Sequence, residues 1–232
     1  MRLGAVTELV GEAGSGKTQL CLQLAVNAFL SHPGGGQTLI LDCDGRLCPE
    51  RLVEMCPDHV DHKALLDSVL ILRCRTLPDL CSAVDLLMAV VRERKGVKLV
   101  VVDSIAWHFR CGWEGDYLAR TGVMFRIVQQ LHSVAGKRGV AAVVTNHMTT
   151  RIENGTGSGE MVPALGDSWR SAVTCRMVMR YDRQEEGGGG RSVELDKCPW
   201  SRTGRRARVV IREEGIRDIE EEEEPRSKKL KS

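Results

Sequence analysis

Apolar and polar positions along this 232-residue chain follow two periods in alternation. AVTELV (5–10) reads as a strand, and TQLCLQLAVNAFL (18–30) repeats its apolar positions every three or four residues, which predicts a helix. HPGGGQ breaks the chain, and TLILD (38–42) and SVLILRC (68–74) are short apolar strands. LPDLCSAVDLLMAVVRER (77–94) is helical, with Pro78 in the first turn, where its missing N–H costs little. VKLVVVDS (97–104) is an apolar strand ending in an acid. YLARTGVMFRIVQQLHSVAGKR (117–138) is a long helix closing at Gly139, and VAAVVTN (140–146) is another strand. Near-continuous Val/Leu/Ile strands separated by helices predict an α/β fold, a mainly parallel sheet with helices on both faces.

After residue 172 the pattern changes. AVTCRMVMRYDR (172–183), RSVELDKC (191–198) and RARVVIREE (206–214) alternate apolar with polar positions between Gly-rich or polar turns. They predict antiparallel strands added at the C-terminal edge. The expected organisation is one domain over residues 1–218 and a disordered tail over 219–232, where IEEEEEPRSKKLKS has too little apolar content to fold.

Composition narrows the class. A chain of this length can bury a core without staples, and no apolar run approaches the ~20 residues of a membrane span. The N-terminus has no signal-peptide shape. Nine cysteines stand singly, with no C-x-x-C pair, which suits a reducing intracellular compartment. His59 and His62, beside Asp58 and Asp61, have no further ligand cluster and read as a solvated acidic loop rather than a metal site. Residues 213–232 hold eight acids and five bases, so the net +2 divides into +5 for the body and −3 for this end. A mildly basic body permits nucleic-acid binding without demanding it.

The chemistry lies between the first strand and the first helix. Gly11-Glu12-Ala13-Gly14-Ser15-Gly16-Lys17-Thr18 matches the phosphate-binding loop G-x-x-x-x-G-K-T in its proper context. Glycines let backbone N–H groups turn around phosphate oxygens, and the helix N-terminus adds its positive end. In such a loop Lys17 reaches the β- and γ-phosphates of ATP and Thr18 holds Mg²⁺; the candidate nucleotide-binding stretch extends to Gln19. Asp103, closing LVVVD, is the candidate second metal acid. Hydrolysis needs a group to orient water; Asp44 follows the second strand, and Asp42 and Glu50 have the same chemistry nearby.

These segments resemble the RecA-type recombinase family, eukaryotic branch. TELVGEAGSGKTQLCLQLAV is similar to its phosphate loop and following helix, and LDCDGRLCPERL to its I-D-T-E-G-x-F-x-x-E-R segment. LVVVDSIAWHFR, VVTNHMTTRI and VPALGDSW follow in family order, over about residues 4–218, and the last two point toward the C-paralogue branch. The resemblance implies a RecA-like P-loop ATPase core, a DNA-stimulated and weak ATP hydrolase, working in homologous-recombination repair within a heteromeric paralogue complex. A bridging subunit that binds ATP with little hydrolysis is the alternative. A small-molecule P-loop kinase ranks lower, since no arginine-rich lid segment is found. By position, Asp44 stands for the family's catalytic glutamate, and Asn146 and His147 for its Asn-Gln pair that senses the γ-phosphate. Two DNA-binding loops are implied, at about 107–116 and 152–163, with Arg110 and Arg151 for single-stranded or junction DNA phosphates. Trp107 and Trp113 either stack bases or pack against the protein.

Two substitutions relative to the family stand out: Asp44 is one methylene short, and His147 lacks the glutamine amide. The family's N-terminal helical domain and linker have no counterpart ahead of residue 4, so long filaments of this chain alone are not expected. The basic cluster Arg226, Lys228, Lys229 and Lys231 reads either as a nuclear-import signal or as a solvated end. The resemblance favours the first, with residence in the nucleus as well as the cytoplasm.

Overall fold

A computed structural model describes residues 1–111, 113, 116–152, 159–181 and 190–219. Apart from Ile219, the predicted tail, with its basic cluster, lies outside them. The elements run β1 (Val6–Gly11), α1 (Lys17–Leu30), β2 (Gln37–Asp42), α2 (Glu50–Glu54), α3 (His62–Asp67), β3 (Val69–Arg73), α4 (Leu77–Glu93), β4 (Val97–Asp103), α5 (Ile105–Cys111), α6 (Tyr117–Arg138), β5 (Ala141–Ile152), β6 (Gly159–Pro163), α7 (Gly166–Ala172), β7 (Cys175–Tyr181), β8 (Gly190–Lys197), β9 (Arg206–Arg212) and β10 (Gly215–Asp218).

The sheet order is β10-β9-β8-β7-β1-β5-β4-β2-β3, with β6 paired to β5. From β7 to β3 all neighbours are parallel; β8, β9 and β10 add antiparallel. The expected antiparallel extension therefore begins one strand later than the sequence pattern indicated. β7 is parallel to β1 and antiparallel to β8, so it joins the two parts.

Strand alternation divides the core. Val100 and Val102 of β4 face α4 and α6, where Leu80, Leu87, Ile127 and Leu131 meet them. Leu99 and Val101 face α1, against Leu22 and Val26. Burial of each such side chain contributes about 1.5–3 kcal/mol, and both faces are needed to cover the parallel strands. The helices start where the sequence provides caps. Thr76 and Asp79 form a reciprocal capping box on α4, and Asp116 Oδ1 accepts from the Ala119 N–H at 2.6 Å on α6. Gly139 ends α6 at φ 62°.

Two departures bear on function. β5 does not stop near residue 146: it runs to Ile152 and pairs antiparallel with β6. Residues 107–111, half of the expected first loop, belong to the helix α5. The carboxyl ends of β1, β2, β4 and the middle of β5 converge on one edge, with Gly11 in register with His147 and Asp42 with Asp103. In open α/β sheets that edge is where ligands bind.

Candidate nucleotide site

Residues 11–18 wrap from β1 into α1. Gly16 has φ 100°, a left-handed conformation, and a Cβ there would meet Ile211 Cδ1 at 2.7 Å. Gly11 lies so close to Met179 O of β7 that a side chain has no space. The loop therefore needs glycine at these points to close against the sheet. Lys17 Nζ donates to Gly11 O at 2.9 Å and Glu12 O at 2.8 Å, so its charge is held within the loop. Burial pulls the Lys17 pKa down; Asp103 and Asp44 oppose this in part.

Thr18 Oγ1 donates to Asp103 Oδ2 at 2.6 Å, and Thr145 Oγ1 of β5 donates to Asp103 Oδ1. Burial raises the Asp103 pKa, Thr145 and Thr18 lower it, and the balance lies above the usual carboxylate range. The peptide bond from Asp103 to Ser104 is cis.

The three acids that could orient water now separate. Asp42 is buried and accepts from Gly45 N at 2.8 Å and from Arg73 at 3.2 Å, bonds that shape the turn. Glu50 is exposed and accepts from Cys48 Sγ at 2.8 Å. Asp44 alone lines the cleft, a space of about 390 Å³ shared with Lys17, Thr18, Asp103 and His147. Its Oδ2 lies 3.5 Å from His147 Nε2, an ion-pair separation rather than a good hydrogen bond. Burial raises the Asp44 pKa, but His147, the Ser104 N–H and Arg46 together carry it below the ordinary value.

The remaining expected loop residues divide by role. Ala13, Gly14 and Gln19 line the cleft. Gln19 Oε1 is engaged by Arg51 Nε at 2.9 Å. Glu12 contributes its carbonyl to Lys17. Ser15 Oγ is buried with no partner among the described residues.

Sequence reasoning missed a second layer. Tyr181 Oη donates to Ala13 O at 3.0 Å, tying the end of β7 to the loop. Arg191 of β8 stacks on Tyr181, 5.2 Å from the ring centre, and lines the cleft. Beneath them Glu8 takes Arg176 Nε at 2.6 Å and Asn146 Nδ2 at 2.7 Å, all three buried. The only sequence signal was an acid in the middle of an apolar strand, which demands a partner wherever it is buried.

The DNA candidates are spread along the same edge. Trp107 and Arg110 lie on α5 and are exposed. Trp113 is half-buried; its ring is 6.1 Å from that of Phe109, and its Nε1 donates to Asp116 O at 3.2 Å. Arg151 is exposed on β5 and shares a cleft with Tyr117, Thr149 and Arg120, the last not anticipated. Of the two expected loops, residues 112, 114, 115 and 153–158 lie outside the described residues.

The donor set suits a nucleoside triphosphate with a hard divalent cation. Buried Ser15 Oγ and Asp44 Oδ1 have no protein partner among the described residues, and Lys17 is satisfied only by its own loop. No trio of His, Cys, Asp or Glu among the described residues could hold a metal alone. A cation between Thr18 and Asp103 would therefore complete its oxygen shell with phosphate and water, as Mg²⁺ does. No helix among the described residues is long and apolar enough to cross a membrane.

A phosphate loop at the carboxyl edge of a mostly parallel sheet, with an acid from β4, one strand removed from β1, bonded to the loop threonine, defines the class: a RecA-like P-loop fold. The solved structure titled "Crystal structure of the RadB recombinase" shares this fold at TM-score 0.75 and 22% identity, over 94% of this chain and 92% of that one. The Rad51 family profile matches residues 1–219, and the chain belongs to the Rad51 family. Similar relatives include the DNA repair protein RAD51 homolog 3 of Cricetulus griseus, 31% identical over 77% of this chain and 55% of that protein. The homolog 3 of Dictyostelium discoideum is 29% identical over 94% and 61%, and RAD51 homolog 4 of Bos taurus 31% over 87% and 63%. The chain thus spans between about half and two thirds of these relatives' length, and the eukaryotic paralogues, with homolog 3 favoured, are its place in the family.

Proposed function

We propose that this chain is an ATP-binding, DNA-stimulated ATPase subunit of homologous-recombination repair, acting as a paralogue within a heteromeric complex with other recombinase paralogues. The observation that carries the reading is the Thr18–Asp103 contact of 2.6 Å beside Lys17, with Asp44 facing the same cleft. Lys17 would exchange its two carbonyl acceptors for terminal phosphate oxygens. Thr18 and Asp103 would hold Mg²⁺, whose chemistry is to neutralise charge developing on those oxygens. Asp44 would orient the attacking water, and His147, 3.5 Å from it, would report the terminal phosphate along β5 to the β5–β6 hairpin. Arg110, Trp107 and Arg151 are the proposed contacts to single-stranded or junction DNA; Trp113 is a weaker candidate because its ring and Nε1 are engaged.

A second reading, an ATP-binding bridging subunit with little hydrolysis, is favoured by the Asp44–His147 pair. A short carboxylate whose charge is already stabilised is a weaker base. ATP turnover with and without single-stranded DNA separates the two: stimulation supports the first, binding without turnover the second, and absence of ATP binding refutes both. The family resemblance supports a nuclear as well as cytoplasmic location. A fluorescent fusion lacking residues 225–232, large enough to be excluded from passive diffusion, should lose nuclear accumulation; unchanged accumulation refutes a role for the tail.

A further inference from the structure

Eight cysteines among the described residues are free thiols, and two of them meet in a pocket separate from the candidate nucleotide cleft. Arg176 of β7 is in register with Lys197, the last residue of β8, so Cys175, the residue before Arg176, comes opposite Cys198, the first residue beyond β8, and the two thiols are hydrogen-bonded. Residues directly opposite in an antiparallel pair have Cα atoms about 4.5–5.5 Å apart, within the span a disulfide bridges. Both residues line one pocket of about 450 Å³ at the amino end of β7, with Thr7, Met177 and Trp200. Trp200 is held there by Arg2, whose guanidinium carbon is 4.4 Å from the ring centre.

We propose that Cys175 and Cys198 form a redox-active dithiol, a site for reversible disulfide formation by peroxide and for bidentate capture of a trivalent arsenical. Cys198 is the half-exposed member and Cys175 the buried one, which sets the order of events. The Cys198 sulfur attacks one peroxide oxygen. The O–O bond breaks, the thiol proton leaves with the departing hydroxide as water, and a sulfenic acid remains. The Cys175 sulfur then attacks the Cys198 sulfur, the S–O bond breaks, and the hydroxyl leaves with the Cys175 proton as a second water. Two electrons pass from two thiols to one peroxide.

Burial and the Cys198 hydrogen bond push the Cys175 thiol up to about 12, while Lys197 and Arg2 oppose this as nearby cations. Cys175, buried and protonated, is therefore slow to meet peroxide on its own, and its place beside Cys198 makes it the resolving partner. A second close pair serves as an internal contrast. Asp42 and Arg73 are in register on parallel strands, so Cys43 and Cys74 follow side by side. Both are almost fully buried, with exposures of 5% and 1%, out of reach of a peroxide in the folded protein.

The test treats the folded chain with stoichiometric hydrogen peroxide, blocks remaining thiols with an alkylating agent, and maps a non-reducing digest by mass spectrometry. A peptide joining Cys175 to Cys198, lighter by two hydrogens than the separate peptides and cleaved by dithiothreitol, is expected; Cys43 and Cys74 should stay reduced. Cys198→Ser alters only a half-exposed position, and should abolish the linked peptide and leave Cys175 unoxidised. Phenylarsine oxide should bind the parent and protect both thiols from alkylation, and Cys198→Ser should lose this protection. Recovery of Cys175 as free thiol beside Cys198 sulfinic acid, or arsenical protection unchanged in Cys198→Ser, would overturn the assignment.

Discussion

Replacing Arg176 with methionine should be among the most damaging single changes to this fold. Glu8 is fully buried and Arg176 almost so, with 4% of its surface exposed, and the Nε–Oε2 distance is 2.6 Å. Arg176→Met keeps the volume of the stem but leaves the Glu8 carboxylate in the sheet interior with only the Asn146 amide as donor. Removing one member of a buried ion pair costs about 3–5 kcal/mol, because the other charge stays desolvated. A domain has only about 5–15 kcal/mol of net stability. With a urea dependence of about 1–3 kcal/mol per molar, the midpoint should fall by roughly 1–5 M. The double variant Glu8→Gln/Arg176→Met removes both charges while keeping an acceptor for Asn146, and should recover most of the loss, since a neutral pair of similar volume is often no less stable. Urea unfolding followed by far-UV circular dichroism measures the parent and both variants. A loss below about 1 kcal/mol for Arg176→Met, or a double variant no better than the single, would refute the idea that a desolvated carboxylate dominates.

Other expectations follow from the cleft. Lys17→Ala should abolish binding of a fluorescent ATP analogue; equal retention by variant and parent refutes the role of Lys17. Asp44→Glu should extend the carboxylate by about an ångström and raise ATP turnover, and Asp44→Ala should lower it, since misplacement of that size can cost about a hundredfold; turnover unchanged in both excludes Asp44 as the water-orienting group. Asp103 carries a raised pKa, so the folded chain holds its proton at pH values where an unfolded aspartate is already ionised. Its effect on stability therefore runs opposite to a paired surface carboxylate: stability is gained as pH falls through the raised value and lost as pH rises. Because Mg²⁺ needs the ionised form, Mg²⁺-dependent nucleotide affinity should weaken about tenfold per pH unit below that value. The slope should vanish in Asp103→Asn; a parent affinity that responds to acidification no more than that of Asp103→Asn refutes this.

Most of the scaffold could be read from the sequence because its signals are local. The helix over 117–138, the capped start of α4 and the strand ending in Asp103 are set by periodicity and by capping or turn residues. The phosphate loop is legible for the same reason: consecutive backbone groups surround one ligand, so the glycines it needs are consecutive too. What escaped was decided by pairing at long range. β5 runs past Asn146 because β6, some ten residues on, supplies hydrogen-bond partners to Met148–Ile152. β7 looks like the alternating strands after it, yet it is parallel to β1 because Thr7–Gly11 claims one of its edges. The choice of Asp44 over Asp42 turns on Arg73 and Gly45 occupying the latter, neither of which is marked in the sequence as its partner.

Those long-range pairings concentrate on three consecutive residues of β5. Thr145 donates to Asp103, the candidate metal acid; Asn146 donates to Glu8, and through it reaches Arg176; His147 faces Asp44. Alternation along a strand sends neighbours to opposite faces, yet here three neighbours in sequence each meet a different part of the site or its support. This is possible because the strand passes its sheet neighbours' carboxyl ends at this point: Val144 is the last residue of β5 paired with β4, and His147 the last paired with β1. Beyond it the same strand carries Thr149 and Arg151 into the β5–β6 hairpin. A change at His147 would therefore pass along an already hydrogen-bonded backbone rather than across a mobile loop. The shorter Asp44 and the imidazole of His147 are then one feature, not two: an imidazole nitrogen lies 3.5 Å from the retracted carboxylate, where the family's glutamine would offer an amide. In the proposed ATPase such a pair would stabilise charge on Asp44 at the expense of its basicity, so that ATP binding would persist while hydrolysis slows.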